Sequence, residues 1–559
     1  MLQVYEPVMH GLHLPEWTLS FVVVALAFGF PITAVLSWVF DLKSTGIERT
    51  TPAAEGSPPT TVPRYRGLRL ALVLLGLGAA AAAPGLVYFF VWPGSPSRRA
   101  DVATGVPGPP SIAVLPFVNL SSDKEQDYFS DGVAEEILNA LAQVQGLRVI
   151  GRTSSFSMKG KNEDLRTIAQ RLNVANLLEG SVRKSGQRVR ITAQLIEAVE
   201  GSHLWSQEFD GDLSDTFAVQ EKIAKAVTSA LRLKLLPSRT DQRVVNGEVY
   251  DLFLKGTQAL REGTPEAYQR AIGSFERATV LDKDFAPAWA GLAEARIWLL
   301  GVSEEQLPQE LGARASAAAD RAIALAPDLA DGYRVRGVIR RDLNRDWAGA
   351  RADLERAVAL GPGDPEAAAQ LSYLLSGLGE IRESAAQARR ATSIDPLSST
   401  AWYVLADVLD IAGDLEGGRD AAARALALSQ DNPIASIVFV GNRILAGQPD
   451  AALAQASRSK SGWVRLTGTA LAAYDLGRTA EANSALEELI TRFGQVAAYQ
   501  VAEVFAWRGE LDKAFQWLDR AVAQRDPGLT YLKTDPILRR LYGDPRWEEL
   551  LRRLNLPTR

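Results

Sequence analysis

Cysteine is absent from the 559 residues, so the chain has no disulfide, no thiolate nucleophile and no cysteine-ligated metal site, and thiol chemistry says nothing about its compartment. Histidine is nearly absent too. His10 and His13 lie in the short tail before the first apolar run, which leaves His203 as the remaining candidate for catalysis. It sits in the alternating stretch from His203 to Phe209, with Leu204 and Ser206 on the opposite face from Trp205. It reads as a strand residue rather than a ligand or general base, because no second histidine is at hand to complete a typical site. The patterns G-x-G-x-x-G, G-x-x-x-x-G-K-[ST] and G-x-S-x-G are missing, which removes sequence support for nucleotide and acyl chemistry. Excess positive charge is missing as well: a net charge of -5 denies the chain the broad basic footprint that phosphate-backbone binding needs. The expectation is a protein that is not an enzyme, with no metal, no cofactor and no nucleic-acid partner.

What is present is 47% hydrophobic and 23% charged residues, a composition that folds, in a chain long enough for two or three globular units plus a membrane segment. From Trp17 to Phe40 no residue is ionisable, and at about 1.5 Å per residue that run crosses a hydrocarbon core of roughly 30 Å. Pro31 beside Gly29 predicts a kink in it. A second uncharged run, Leu70 to Trp92, ends in Tyr88-Phe89-Phe90-Val91-Trp92, the aromatic belt of an interface. The small surface of Gly76, Gly78 and Ala79 to Ala83 allows the two spans to pack together or to dimerise. The first run is too long for a cleaved signal and lacks a basic start, so the anchor is expected to persist. Lys43, Arg49, Arg64, Arg66 and Arg69 lie between the spans, and nothing before Trp17 is Lys or Arg. The positive-inside rule therefore places the loop in the cytoplasm and the C-terminal bulk outside, periplasmic in a host with two membranes; Arg98 and Arg99 pull weakly the other way.

Residues 95–110, rich in Pro, Gly, Ser and Ala, read as a flexible tether. Folding resumes at Ser111 in β-α-β-α order: a buried strand Ile112 to Phe117, a helix Gly132 to Ala142, a strand Leu147 to Ile150, and a helix lined by Leu165, Ile168, Ala169 and Leu172. A hairpin comes next, Leu177 to Lys184 with Val189 to Glu197 about Ser185-Gly186-Gln187, and then the Trp205 strand and a helix Phe217 to Leu236. The acids Asp123, Glu125, Asp127, Asp131, Glu135 and Glu136 are irregularly spaced, and read as acids leading into the positive end of the Gly132 helix rather than as a metal site. Ser111-Ile112-Ala113-Val114-Leu115-Pro116-Phe117 with Asn119-Leu120-Ser121, Asp127-Tyr128-Phe129-Ser130-Asp131-Gly132 and Leu178-Glu179-Gly180-Ser181-Val182 together resemble the TolB-like, or FlgO-like, domain. Over residues 111–236 that resemblance implies an α/β binding module without known catalysis; a cryptic small-ligand cleft within it is the alternative to a metal or nucleotide site.

The strongest periodicity lies beyond. Ala322, Ala357, Ala391 and Ala425 recur at 34 or 35 residues, Pro327, Pro362 and Pro396 keep the same beat, and Trp289, Tyr333 and Trp402 stand near the opening of each unit. The spacing resembles the tetratricopeptide repeat, in which small residues sit where paired helices cross, a large one fills the gap and proline stops the second helix. The units run about 247–283, 286–328, 330–363, 365–397, 399–432, 433–460, 463–494 and 495–527, with an insertion around Gly301 to Gln309. Gly477 and Gly509 mark turns, and Ala482 and Ala514 begin the helices after them. Residues 528–559 read as capping helices, a pair with a polar outer side over Asp535 to Leu554. Such an array presents a concave groove for an extended peptide or partner helix. Arg334, Arg336, Arg340 and Arg341 form a basic stripe in one unit, read as solvated surface paired with nearby acids, with the grip on an acidic partner as the alternative.

The full order, with an anchor over 1–94, is similar to a bacterial family of membrane-anchored repeat proteins with a TolB-like domain, in whose relatives the same pair can follow an adenylate cyclase or a winged-helix domain. The resemblance implies a non-catalytic inner-membrane scaffold for protein partners. The alternative is a membrane sensor or signalling regulator with a small-ligand site in the α/β module.

Overall fold

In a computed structural model, the residues described are 40–43, 46–49, 110–161, 163–198, 200–231, 245–302 and 310–558. The expected spans, the tether up to residue 109, the tail of the Phe217 helix beyond 231 and most of the insertion lie outside them, except that Phe40 opens a strand. That strand, β1 (Phe40–Lys43), pairs antiparallel with β2 (Gly46–Arg49). Among the described residues no helix is long and apolar enough to cross a membrane. The chain divides into two units between residues 105 and 106, and the second holds both the α/β module and the helical array.

The α/β module is a mixed six-stranded sheet in the order β5-β3-β6-β7-β8, with the short β4 on β6. Strand β3 (Ser111–Val114), buried along its length, lies parallel to β5 (Arg148–Val149) on one side and to β6 (Asn176–Ser185) on the other. Buried on both faces, it reads as a continuous apolar run rather than an alternating one. After β4 (Val118–Asn119), helix α1 (Asp127–Ala142) packs Phe129, Val133 and Ile137 over one face of the sheet. After β5 come the short α2 (Arg152–Phe156) and then α3 (Leu165–Leu172), which covers the other face with Ile168, Ala169 and Leu172. Strands β6 and β7 (Arg188–Glu197) turn through Gly186-Gln187, where Gly186 takes φ +59, the positive first position that a two-residue hairpin loop demands. Strand β8 (His203–Asp212) forms the sheet edge and α4 (Thr216–Ala230) returns beside α1.

Helix α1 starts five residues before the sequence reading placed it, because Phe129 and Ser130 are already buried. Asp127 therefore stands in the first turn, where an acid suits the helix dipole, and Asp131 lies inside the helix rather than before it; Glu135 and Glu136 lie within it as expected.

The array comprises eight helix pairs among the described residues. They are α5 (Gly247–Glu262) with α6 (Pro265–Leu281), α7 (Ala286–Val302) with α8 (Glu310–Leu325), α9 (Ala330–Ile339) with α10 (Trp347–Leu360), and α11 (Pro365–Leu378) with α12 (Ile381–Ile394). Then come α13 (Ser399–Ile411) with α14 (Leu415–Leu428), α15 (Pro433–Leu445) with α16 (Pro449–Arg458), α17 (Gly462–Asp475) with α18 (Thr479–Phe493), and α19 (Ala498–Trp507) with α20 (Leu511–Gln524). Ala322, Ala357, Ala391, Ala425, Ala482 and Ala514 are fully buried, where any larger side chain would push paired helices apart. The opening aromatics do more than fill gaps: Trp289 and Trp402 donate their indole N–H to the carbonyls of Lys283 and Pro396, and Tyr333 its hydroxyl to that of Pro327, each pinning the loop that enters its unit. The turn within a unit takes a left-handed residue, Gly379, Gly413, Gly447, Gly477 and Gly509 in the later units and Arg345 at the matching place in the third. There α9 continues as a wider π-helical turn, Arg340–Asn344.

The C-terminus corrects the expected pair of capping helices. Asp526-Pro527, Asp535-Pro536 and Asp544-Pro545 recur every nine residues, and each aspartate accepts the backbone N–H two residues on, which starts a fresh turn each time. The first two such turns are 3₁₀, Pro527–Tyr531 and Pro536–Leu541; only the third becomes a helix, α21 (Pro545–Arg553). The 3₁₀ segment lies across first helices of the array, against α11 and α19, and the Trp347 indole donates to the Leu554 carbonyl at 2.7 Å, which joins the third unit to the end of the chain.

Candidate functional site

Segments of the chain itself cover part of the array: the α/β module lies against the first helix of unit one and against loops between later units, and the C-terminal segment against first helices of later units. One core runs without a break from the sheet through α1 into the first three units, with Phe129 edge-on to Tyr250 of α5 at 5.9 Å. Gly132 makes this approach possible, since a Cβ there would lie 2.6 Å from Leu254. Across the same seam Glu135, 4% exposed, takes Arg152 of α2 and Arg261 of α5 as partners. Its neighbour Glu136 is pushed up to about 8, by burial and then by the charges of Glu135 and Asp331.

A second joint ties the module to the fourth unit, some 240 residues on. Asp395, at the end of α12, accepts the backbone N–H of Ser154 at 2.8 Å and of Thr153 at 3.2 Å, together with the Ser154 hydroxyl. The same hydroxyl oxygen accepts the N–H of Leu397, and Gly151 donates to the carbonyl of Ile394 at 2.7 Å. Because α2 has no side-chain cap of its own at Gly151, Asp395 supplies from the array the carboxylate that the start of α2 lacks.

The four arginines are not a solvated stripe. Arg334, 6% exposed, forks onto Glu294 of α7 at 2.9 and 3.0 Å and also reaches Asp331. Although burial opposes the charged form, Arg334 holds the Glu294 carboxyl down at about 2. Arg336 forks onto Asp353 at 2.8 Å from both nitrogens, and Arg340 shares that carboxylate. Arg341 is buried between Asp342 and Gln370, with its guanidinium 4.3 Å over the Tyr373 ring. Periodicity gives no sign of this because two of the acids, Glu294 and Asp353, come from helices other than the one that carries the arginines.

Further along the concave face lies a chamber of tyrosines and carboxyls. Tyr531, on the C-terminal 3₁₀ segment, stands edge-on to Tyr373 of α11 at 4.3 Å, and Tyr499 of α19 donates to Asp535 at 2.8 Å. Burial drives Asp535 and Glu503 up, and the charge of Asp535 raises Glu503 further. Asp407 of α13 is pushed up from its ordinary 3.8 to about 8 by burial and then by the charges of Asp410 and Asp535, against a hydrogen bond from Tyr531. A carboxyl raised on folding stabilises fully below its unfolded pKa, and that stability is lost as pH rises toward the folded value. Asp407→Asn should therefore flatten the fall of melting temperature between about pH 4 and pH 8, as read by thermal denaturation across that range.

The module's own cleft is at the carboxyl end of β3. Its two neighbours, β5 and β6, are reached by connections on opposite faces of the sheet, which leaves a crevice at the point of reversal, the usual ligand position in open α/β sheets. The cleft measures about 730 Å³. One wall is apolar, from Leu115, Phe117, Met158 and Ile168, and facing it are Glu179, Ser181, Thr192 and Gln194 of β6 and β7. At its rim Lys159 bonds Asp131 at 2.6 Å, Asn119 donates to Asp127, and Glu163 accepts from Arg171 while its second oxygen is buried without a partner. Of the acids singled out in the sequence, only Asp127 lines the cleft. His203 is exposed on the edge strand, away from it. Among the described residues no group of three or more histidines, aspartates and glutamates is arranged to hold a metal ion.

A family model described as tetratricopeptide repeat matches residues 370–433 and 467–529. The helical array is built of tetratricopeptide repeats. A second model, described as the second domain of HilA/YgeH-like transcriptional regulators, matches residues 109–226, the extent of the α/β module up to α4. A protein of Rhizobium meliloti (strain 1021) named putative adenylate cyclase 3 is 38% identical over 240 residues, which is 40% of this chain and 41% of that protein. The chain thus spans about two fifths of the length of that curated relative. Similar solved structures include YrrB, a repeat protein with an unusual peptide-binding site (20% identity, 34% of this chain, 88% of that chain, TM-score 0.24). PilW, a type IV pilus biogenesis factor, is another (17% identity, 47% and 100%, TM-score 0.30). A tetratricopeptide repeat protein from Parabacteroides merdae is a third (12% identity, 48% and 100%, TM-score 0.35).

Proposed function

We propose that the chain is a non-catalytic regulatory scaffold of a bacterial inner membrane. In this reading the repeat array holds a TolB-like module as fixed cargo and presents it, with the array's remaining surface, to protein partners on the periplasmic side. The observation that carries the reading is the Asp395–Ser154 joint, backed by the shared core: array and module are built as one body. The uncharged runs 17–40 and 70–92 support the anchor, and the Lys and Arg residues between them support the orientation.

A photoreactive residue at Tyr474, 39% exposed on α17, tests the scaffold in membranes of the native host. Repeated capture of one protein at Tyr474, absent from Val118 on the module, is the expected outcome; no specific adduct from positions throughout the array would sink the reading. A reporter fused after Ala100 tests the orientation, with activity expected outside the cytoplasm.

The cleft beside β3 supports a second role, as sensor of a small molecule with an apolar face and hydroxyl or amide groups. A small-molecule screen by thermal shift on the full chain should give hits that disappear in Thr192→Arg, which fills the cleft.

A further inference from the structure

We propose that the concave face of units four to eight is a groove for an extended protein segment carrying an aromatic residue four positions before an Asp-Pro, and that residues 527–541 occupy it as an intramolecular stand-in which a partner displaces. The proposal rests on the protein-binding reading above and names the partner's chemistry.

The seat comes from the first helices of three different units: Tyr373 from α11, Asp407 from α13, Tyr499 and Glu503 from α19. First-helix side chains are what repeat arrays turn toward extended ligands. The occupant is not another repeat: it is a single segment that seats Leu529, Leu532, Ile537, Leu538 and Leu541 in the core shared with the array helices. It enters as two short 3₁₀ turns, lays Tyr531 on Tyr373, donates Lys533 Nζ to the Leu378 carbonyl at 3.1 Å, and sets Asp535 against the Tyr499 hydroxyl. Its backbone presses on the groove floor at Thr530, whose carbonyl lies against Gly377, a position with no room for a Cβ. The fit is incomplete, because Asp407 Oδ2 is buried beneath it with no hydrogen-bond partner. A segment that brings one more polar group to that oxygen makes a bond the strap does not make.

The strap is also held at both ends independently of its seat. Before it, α20 packs Phe515 and Leu518 into the core. After it, α21 is fastened by Arg546 to Asp512 at 2.8 Å, by Arg553 to Asp519 at 2.6 Å and by the bond from Trp347 to Leu554. Leaving the groove therefore requires a loop to swing out, with the cap still in place.

The test uses the purified full chain and a fluorescent synthetic peptide of residues 526–544. In Tyr531→Ala/Lys533→Ala the strap is loosened while the groove residues are intact, and the peptide should bind roughly tenfold or more tighter than to the unsubstituted chain, whose groove is closed for most of the time. Amide exchange of the unsubstituted chain provides the check that needs no variant: amides of 527–541 should exchange well before those of α11, α13 and α19. Exchange of the strap only together with those helices would overturn the proposal, as would absence of peptide binding to a folded double variant. Either failure with capture at Tyr474 unchanged removes the strap alone; loss of specific capture removes the scaffold reading itself.

Discussion

Arg334→Met should destabilise the protein by about 3–5 kcal/mol at neutral pH, because it leaves Glu294 buried and charged with its main partner gone. Methionine keeps most of the side-chain length, so the loss reports the ion pair more than a cavity. The pH dependence separates this from a packing defect. With Arg334 in place the Glu294 carboxyl titrates near 2, below its ordinary 4.5, so its stability is present above about 4.5 and lost as pH falls toward 2. With Arg334 removed, burial drives the same carboxyl upward, and stability is then lost as pH rises past its unfolded value. The gap between the two proteins in urea denaturation should be wide at pH 7 and narrow toward pH 4. Adding Glu294→Gln to Arg334→Met should recover part of the loss.

Asp395→Ala should cost about 2–4 kcal/mol and act where the substituted residue is not. It strips the partner from two backbone N–H groups and the Ser154 hydroxyl, in a site where Asp395 is 2% and Ser154 0% exposed. Amide exchange should rise around Gly151 to Ser155, in the module, while α13 and α14 in the adjacent unit stay protected. Asp395→Asn, which keeps one acceptor oxygen, should fall between the two. An unchanged exchange rate at Ser154 would mean that the joint does not hold the module.

Local regularities were the legible part of this fold. The beat of alanines and prolines locates each helix crossing, and the alternation of β6 and β7 locates the hairpin, because in both cases the residues that touch are near in sequence and repeat at a fixed spacing. The interactions that make the site have neither property. Asp395 and Ser154 meet once, across 241 residues. The burial of Arg334 depends on Glu294, Asp331 and Asp364 arriving from three units, whereas arginine by itself is a residue type usually found at the surface. Asp-Pro repeated at nine residues was a visible signal for the strap, but a cap on the end of a solenoid was the simpler interpretation of the same apolar spacing. The cleft is not visible in the sequence because its lining comes from five separate stretches of the module.

The hydrogen bond from Trp347 to Leu554 has a consequence for how this array folds. A linear array gains stability unit by unit, each contact being made with the next neighbour, so it tolerates shortening and frays from its ends. Here a contact spanning 207 residues closes the later units into a circuit, and its loop-closure entropy must be overcome before the contact forms. Such an array should unfold in one cooperative step from the third unit to the C-terminus, and removal of the last dozen residues should weaken the third unit as much as the eighth.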